Sequence, residues 1–262
     1  MSKMIVVTLL LISLSGCVAT SGKRNGGIDT QTQEKVLLSS KNYQKLITFY
    51  KSQLLAKEDF ATRIKLIRAY VETADFHSAI FYLEPLLNTK KESFDVNYLA
   101  GKSYLNLGDL DRANRYLTQA NRLNPREADV LNLLGINDCY RGEFYQAKQR
   151  FLQARVFMDD DITVKNNLAL VAILQQHYFT AKDLLEPMYF SNANGSQRIK
   201  ANLAIVYAKL GDMGGFTRLT TTLSPEQRNK LFANLKALKL SDVKRAVLGS
   251  PEKQQEELSE KR

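Results

Sequence analysis

The chain has 262 residues, 44% of them hydrophobic and 24% charged, with no tryptophan, five prolines and a formal net charge of +10. That length holds a sizeable core in one or two domains. Beyond the first twenty residues the balance is that of an ordinary soluble protein, and its wealth of Leu, Ala, Lys, Gln, Asn and Arg favours helix.

The chain opens with a short positive start, Met1–Lys3, followed by the apolar run Met4–Leu14. A run of about eleven residues is too short to span a bilayer comfortably and reads as a signal peptide. It ends in Leu14-Ser15-Gly16-Cys17, which resembles the lipobox of bacterial lipoproteins: an aliphatic residue, two small residues, then cysteine. The resemblance implies removal of residues 1–16 and lipidation of Cys17, which would leave Cys139 without a disulfide partner. Val18 follows in place of the aspartate linked to inner-membrane retention, so the outer membrane, facing the periplasm, is the expected site. Residues 17–32 hold Ser, Thr, Gly, Lys, Arg and Asn with almost nothing apolar to bury, and form a flexible tether.

Helical patterning begins near Gln33. Val36, Leu37 and Leu38, then Tyr43, Leu46, Ile47, Tyr50 and Leu54, mark two short amphipathic segments around a break at Ser39–Asn42. From Phe94 a pattern appears twice at a spacing of 34 residues. Gly101, Gly108, Ala113 and Ala120 are answered by Gly135, Gly142, Ala147 and Ala154. Small residues where two helices cross, large ones beside them and a helix stop near the end resemble the tetratricopeptide (TPR) repeat. The clear repeats are 94–127 and 128–161, with weaker ones at 60–93, 162–195 and 197–230. In the last, Phe216 stands where alanine is expected, and Gly214-Gly215 weaken the start of its second helix. Ser224-Pro225-Glu226-Gln227 then has the form of a capping box with proline at the first helical position. Leu231, Leu235 and Leu238 are expected along one face of that helix, closing the final repeat, and the polar residues 249–262 read as a disordered tail. The expected fold is all-α: over 33–248, a right-handed superhelical TPR solenoid of about five to six helix pairs with a C-terminal capping helix.

The TPR resemblance implies a concave groove lined by the first helix of each pair. Carried onto this sequence, the lining includes Asp95, Tyr98, Lys102, Leu105 and Asn106, then Asp129, Asn132, Ile136, Cys139 and Tyr140, then Thr163, Asn166, Leu170, Ile173 and Leu174. Tyr98, Lys102, Asn132, Ile136, Tyr140, Asn166 and Leu170 are the candidate partner-binding residues. Asn132 and Asn166, at one repeat position, suit donor and acceptor contacts to a peptide backbone, or serve as packing amides. Arg112, Arg115, Arg122, Lys148, Arg150 and Arg155 fall on second helices, as a solvated face or as an attraction for headgroups or an acidic partner. The export signal argues against nucleic acid. No enzyme is read here: His77 and His177 lie a hundred residues apart, and Asp159-Asp160-Asp161 lacks the spaced ligands and glycine of a calcium loop. No Gly-rich phosphate loop or nucleophile elbow is present, and no metal or cofactor is expected. Cys139 reads as a packing residue.

Asn166-Asn167-Leu168-Ala169-Leu170, Leu184-Leu185-Glu186-Pro187, Asn202-Leu203-Ala204 with Tyr207-Ala208 and Gly211-Asp212, and Leu223-Ser224-Pro225-Glu226-Gln227 resemble the TadD family. These are TPR lipoproteins of the tight-adherence system that assembles Flp (type IVc) pili. The resemblance implies a pilotin-like factor that helps the system's secretin, or other pilus-assembly proteins, localise or assemble. A type IVa pilotin and an envelope adaptor for peptidoglycan hydrolases or proteases remain alternatives.

Overall fold

The computed structural model describes residues 29–89, 92–157, 161–191 and 197–243, and its regular elements there are all α-helices. Cys17, the leader, tether residues 18–28 and the tail from 249 lie outside the described residues, while residues 30–32, expected in the tether, form the first turn of a helix capped by Asp29. Six antiparallel pairs follow one another: α1 (Thr30–Ser39) with α2 (Tyr43–Ala56), α3 (Phe60–Glu72) with α4 (Phe76–Leu87), and α5 (Phe94–Asn106) with α6 (Leu110–Leu123). They continue as α7 (Ala128–Arg141) with α8 (Phe144–Phe157), α9 (Asp161–Leu174) with α10 (Tyr178–Ser191), and α11 (Gln197–Leu210) with α12 (Met213–Leu219), before α13 (Pro225–Ala237).

The hairpin between paired helices is set by two adjacent residues. Lys41, Ala74, Gly108, Gly142, Gln176 and Gly211 all adopt positive φ, between 51° and 80°. In each case the next residue's N–H bonds to the carbonyl five residues back, as in Asp109 to Tyr104 at 2.9 Å and His177 to Ala172 at 2.8 Å. This is a Schellman closure of the odd helix. In four of the six hairpins that same next residue caps the even helix: the side chains of Asn42, Asp75, Asp109 and Asp212 accept from the N–H of Lys45, Ser78, Arg112 and Gly215. Stop and start signals are therefore adjacent residues, which forces an antiparallel pair.

Inside each pair a small residue admits a large one. A Cβ on Gly135 would stand 2.5 Å from Phe151 Cε1, and one on Gly101 would stand 2.6 Å from Leu117 Cγ. In the next pair Ala169 and Leu185 occupy the equivalent positions, both fully buried. Each such buried Leu or Phe contributes roughly 1.5–3 kcal/mol of apolar burial. Successive odd helices, α3 with α5, α5 with α7, α7 with α9 and α9 with α11, also touch one another. This closer approach places odd helices on the inside of the curve and even helices outside, giving an all-α right-handed TPR solenoid.

The last pair exchanges the roles of its residues. Here the large side chain, Tyr207, lies on the odd helix, and Gly215 on the even helix makes room: a Cβ there would stand 2.4 Å from the Tyr207 ring. Phe216, fully buried in place of the usual alanine, meets Phe232 edge-to-face at 5.1 Å. With that volume filled early, α12 ends after seven residues. α13 starts at the expected capping box, with both Ser224 and Gln227 bonds made. Its buried anchor is Phe232, while Leu231, expected on the face that closes the final repeat, is 37% exposed. Leu235 and Leu238 do pack on the core from the same side as Phe232.

Candidate functional site

The inner wall is built from stripes spaced by about one helical turn, because side chains four apart stand above one another on a helix. On α5, Phe94 and Tyr98 stack at 5.8 Å with 7° between ring planes, and the Lys102 ammonium lies 5.9 Å from the Tyr98 ring centre. Asn106 ends the stripe and donates to the Lys102 carbonyl at 2.8 Å. Burial, with Asp129 as the next cause, pushes the Tyr98 phenol up to about 12. Asp95 at the mouth is paired with Arg68 of α3.

On α7 the stripe is Asn132, Ile136 and Tyr140, all half-buried. Ile136 and Tyr140 pack on the same core cluster as Tyr98, so α5 and α7 present one continuous surface. Burial raises the Tyr140 phenol as well. On α9, Thr163 and Asn166 are half-buried, but Leu170 is only 5% exposed and lies in a core cluster with Cys139, Val164 and Leu174. Leu105, Cys139, Ile173 and Leu174 are likewise buried, because the neighbouring odd helix closes over them. The accessible lining therefore narrows to Asp95, Tyr98, Lys102, Asn106, Asp129, Asn132, Ile136, Tyr140, Thr163 and Asn166.

Two amide pairs stitch consecutive odd helices. Asn167 Nδ2 of α9 donates to Asn132 Oδ1 of α7, and Asn202 Nδ2 of α11 donates to Asn166 Oδ1 of α9 at 3.2 Å. Asn132 and Asn166 thus spend one carbonyl lone pair within the wall. Their Nδ2 groups have no partner among the described residues, and each carbonyl keeps a second lone pair. Position and orientation of the two amides are fixed by the bonds to Asn167 and Asn202, which sequence reading did not place in the groove. Their spacings of 35 and 36 residues, beside a period of 34, were the available signal.

The outer face is less cationic than its residue count suggests. Arg112 pairs with Asp109 at 2.6 Å, Arg155 with Asp161 at 2.8 Å, and Arg122 with Glu92. Arg115 lies 4.8 Å over the Tyr116 ring, Arg150 is 4.0 Å from Asp138, and Lys148 is exposed. Among the described residues no group of three or more His, Cys, Asp or Glu is placed to hold a metal ion, and no helix is long and apolar enough to cross a membrane.

Residues 94–127 match the family model for the tetratricopeptide repeat. No curated protein matches the sequence. Among solved structures, a tetratricopeptide repeat protein from Parabacteroides merdae ATCC 43184 superposes with a TM-score of 0.61 at 12% identity, covering 87% of this chain and 91% of that one. The Cut9-Hcn1 hetero-tetramer of the APC/C gives 0.61 at 17% identity, covering 80% of this chain and 41% of that one. MamA from Desulfovibrio magneticus RS-1 (residues 41 to the end) gives 0.53 at 15% identity, covering 60% and 89%. At such identities the likeness is one of fold. The chain folds as a TPR solenoid with one repeat, residues 94–127, matching the family model, and its inner wall suits contact with another protein.

Proposed function

We propose that this chain is an outer-membrane lipoprotein that assists assembly or localisation of the secretin of a tight-adherence Flp pilus machine, gripping a segment of a secretion component in its groove. The observation that carries the binding mode is the pair of stitched asparagines. Asn132 and Asn166 sit in fixed register with open amide nitrogens, beside the apolar surfaces of Tyr98, Ile136 and Tyr140. An extended or helical segment would gain affinity by burying its side chains on the aromatic stripe, and register from the amides. The lipobox at Leu14–Cys17 supports the anchor, and the TadD-like segments support the choice of partner. Three acyl chains would hold the protein durably, since each buried methylene contributes about 0.8 kcal/mol and one chain alone binds only marginally.

The test is a crosslinking pull-down from envelope fractions with wild type, Cys17→Ser and the triple variant Tyr98→Ala, Asn132→Ala, Asn166→Ala. Wild type is expected to recover a secretin, Cys17→Ser to mislocalise it, and the triple variant to lose it while remaining folded. Recovery of murein enzymes with no secretin would replace this reading with the adaptor role. Full secretin recovery by a folded triple variant would end the groove mechanism.

A further inference from the structure

Because odd and even helices run in opposite directions, the starts of odd helices and the ends of even helices share one edge of the solenoid. Ion pairs across that edge, Arg122 with Glu92 and Arg155 with Asp161, join helix ends to the following or preceding starts. Large apolar side chains stand in solvent along it: Leu55 at 89% exposure, Val156 at 76%, Phe190 at 48%, Phe157 at 39% and Leu123 at 38%. They recur by position. Leu55, Leu123 and Phe157 fall at multiples of 34 residues from one another, and Val156 and Phe190 are 34 apart. Exposed apolar residues scattered singly need no explanation, but a set repeated along one edge does.

The chain enters the solenoid at this same edge. Asp29 caps the start of α1, and α1 lies antiparallel on α2, with the Tyr50 hydroxyl donating to Glu34 Oε1 at 2.7 Å. Asp29 lies twelve positions after Cys17, with eleven residues between them. Fully extended they reach about 40 Å, so a lipid at Cys17 would keep the edge close to a bilayer.

We propose that this edge rests on the phospholipid surface, with Val156, Phe157 and Phe190 entering the boundary between headgroups and acyl chains. The inference rests on the lipid anchor proposed above. Charge does not select the lipid, since Arg122 and Arg155 are engaged by carboxylates; apolar insertion supplies the contact, and neutral headgroups suffice. In this pose the helices stand on end and the groove opens along the membrane, where a segment of an outer-membrane partner can enter from the side.

The opposite edge provides an internal control. Tyr145 and Phe179, near the starts of α8 and α10, are 73% and 74% exposed and also 34 residues apart, so the chain's entry at Asp29, not recurrence, distinguishes the two edges. An environment-sensitive fluorophore is attached through Val156→Cys or Phe190→Cys, and through Tyr145→Cys or Phe179→Cys, leaving the fully buried Cys139 in place. The full mature chain is reconstituted in vesicles of phosphatidylethanolamine and phosphatidylglycerol with brominated acyl chains. Quenching at 156 and 190 well above that at 145 and 179 is expected, with the signal at 190 falling several-fold when Val156→Ser and Phe157→Ser are added. Absent quenching, or equal quenching at both edges, overturns the proposal. So does a fluorescence change at 156 and 190 that needs no vesicles and grows with protein concentration, which would make the edge a contact between copies. Intact mass separates the two readings: a chain without lipid at Cys17 sinks the anchor, and Cys17→Ser chain labelled at the same positions and mixed with vesicles then decides the edge alone, sustained by selective quenching and overturned without it.

Discussion

Asn202 donates its side-chain amide to Asn166 at 3.2 Å across two repeats, although Asn202 itself is only 7% exposed. The bond does two jobs at once. It satisfies a buried donor, and it orients the Asn166 amide that faces the groove. Asn166→Ala should therefore cost about 1–2 kcal/mol, the penalty of a buried donor left unpaired. Asn166→Ala with Asn202→Ala should cost less than the two single losses together, because the stranded donor goes too. Urea midpoints of the four proteins check this; strict additivity would show that the bond does not form in solution.

The hairpin residues predict opposite effects for opposite substitutions. Gly142 has φ of +80°, and a Cβ there would meet nothing within 4 Å, so Gly142→Ala isolates backbone strain. A loss of about 1–2 kcal/mol is expected. Gln176 bears the same strain with a side chain, at φ of +62°. Gln176→Gly should gain up to about 1 kcal/mol, after the added freedom of the unfolded chain is subtracted. Thermal melts distinguish the two signs directly.

Gly135 faces a different constraint, since an added methyl would sit 2.5 Å from the buried Phe151 ring. Gly135→Ala should destabilise by about 1–3 kcal/mol through overpacking. Adding Phe151→Leu recreates the Ala169 and Leu185 arrangement of the next repeat and should recover most of the loss. Failure of that rescue would show that the two crossings differ in backbone separation.

Asp138 carries a pH signature. It is 6% exposed, its Oδ2 lacks a hydrogen-bond partner, and Arg150 approaches only to 4.0 Å. Burial outweighs the arginine and raises its carboxyl from 3.8 to about 6. A folded-state value above the unfolded one means the native form binds the proton more tightly. The penalty of the buried charge is thus fully present above pH ~6 and is relieved as pH falls towards ~4, by on the order of 3 kcal/mol at most. Asp138→Asn should raise stability at pH 7 and lose that advantage near pH 4. Denaturant curves at both pH values test it, and a pH-independent difference would contradict the buried, ionised carboxylate.

What the sequence by itself determined was local and periodic. Gly108, Gly142 and Gly211 mark three of the six hairpins, Gly101 with Leu117 and Gly135 with Phe151 mark the crossings, and Ser224 with Gln227 marks the start of α13. These features depend on residues within one helix or one turn, so their spacing carries them. The inner wall depends on how near the next repeat comes, and spacing does not encode that distance. Only the tertiary structure decided that Leu170 is core while Asn166 stays open, and that Phe232 rather than Leu231 anchors α13. It alone decided that Asn132 and Asn166 take their partners from Asn167 and Asn202. Burial and amide pairing on that wall are set between helices more than thirty residues apart, where small differences in packing choose which side chain is covered and which is left to bind.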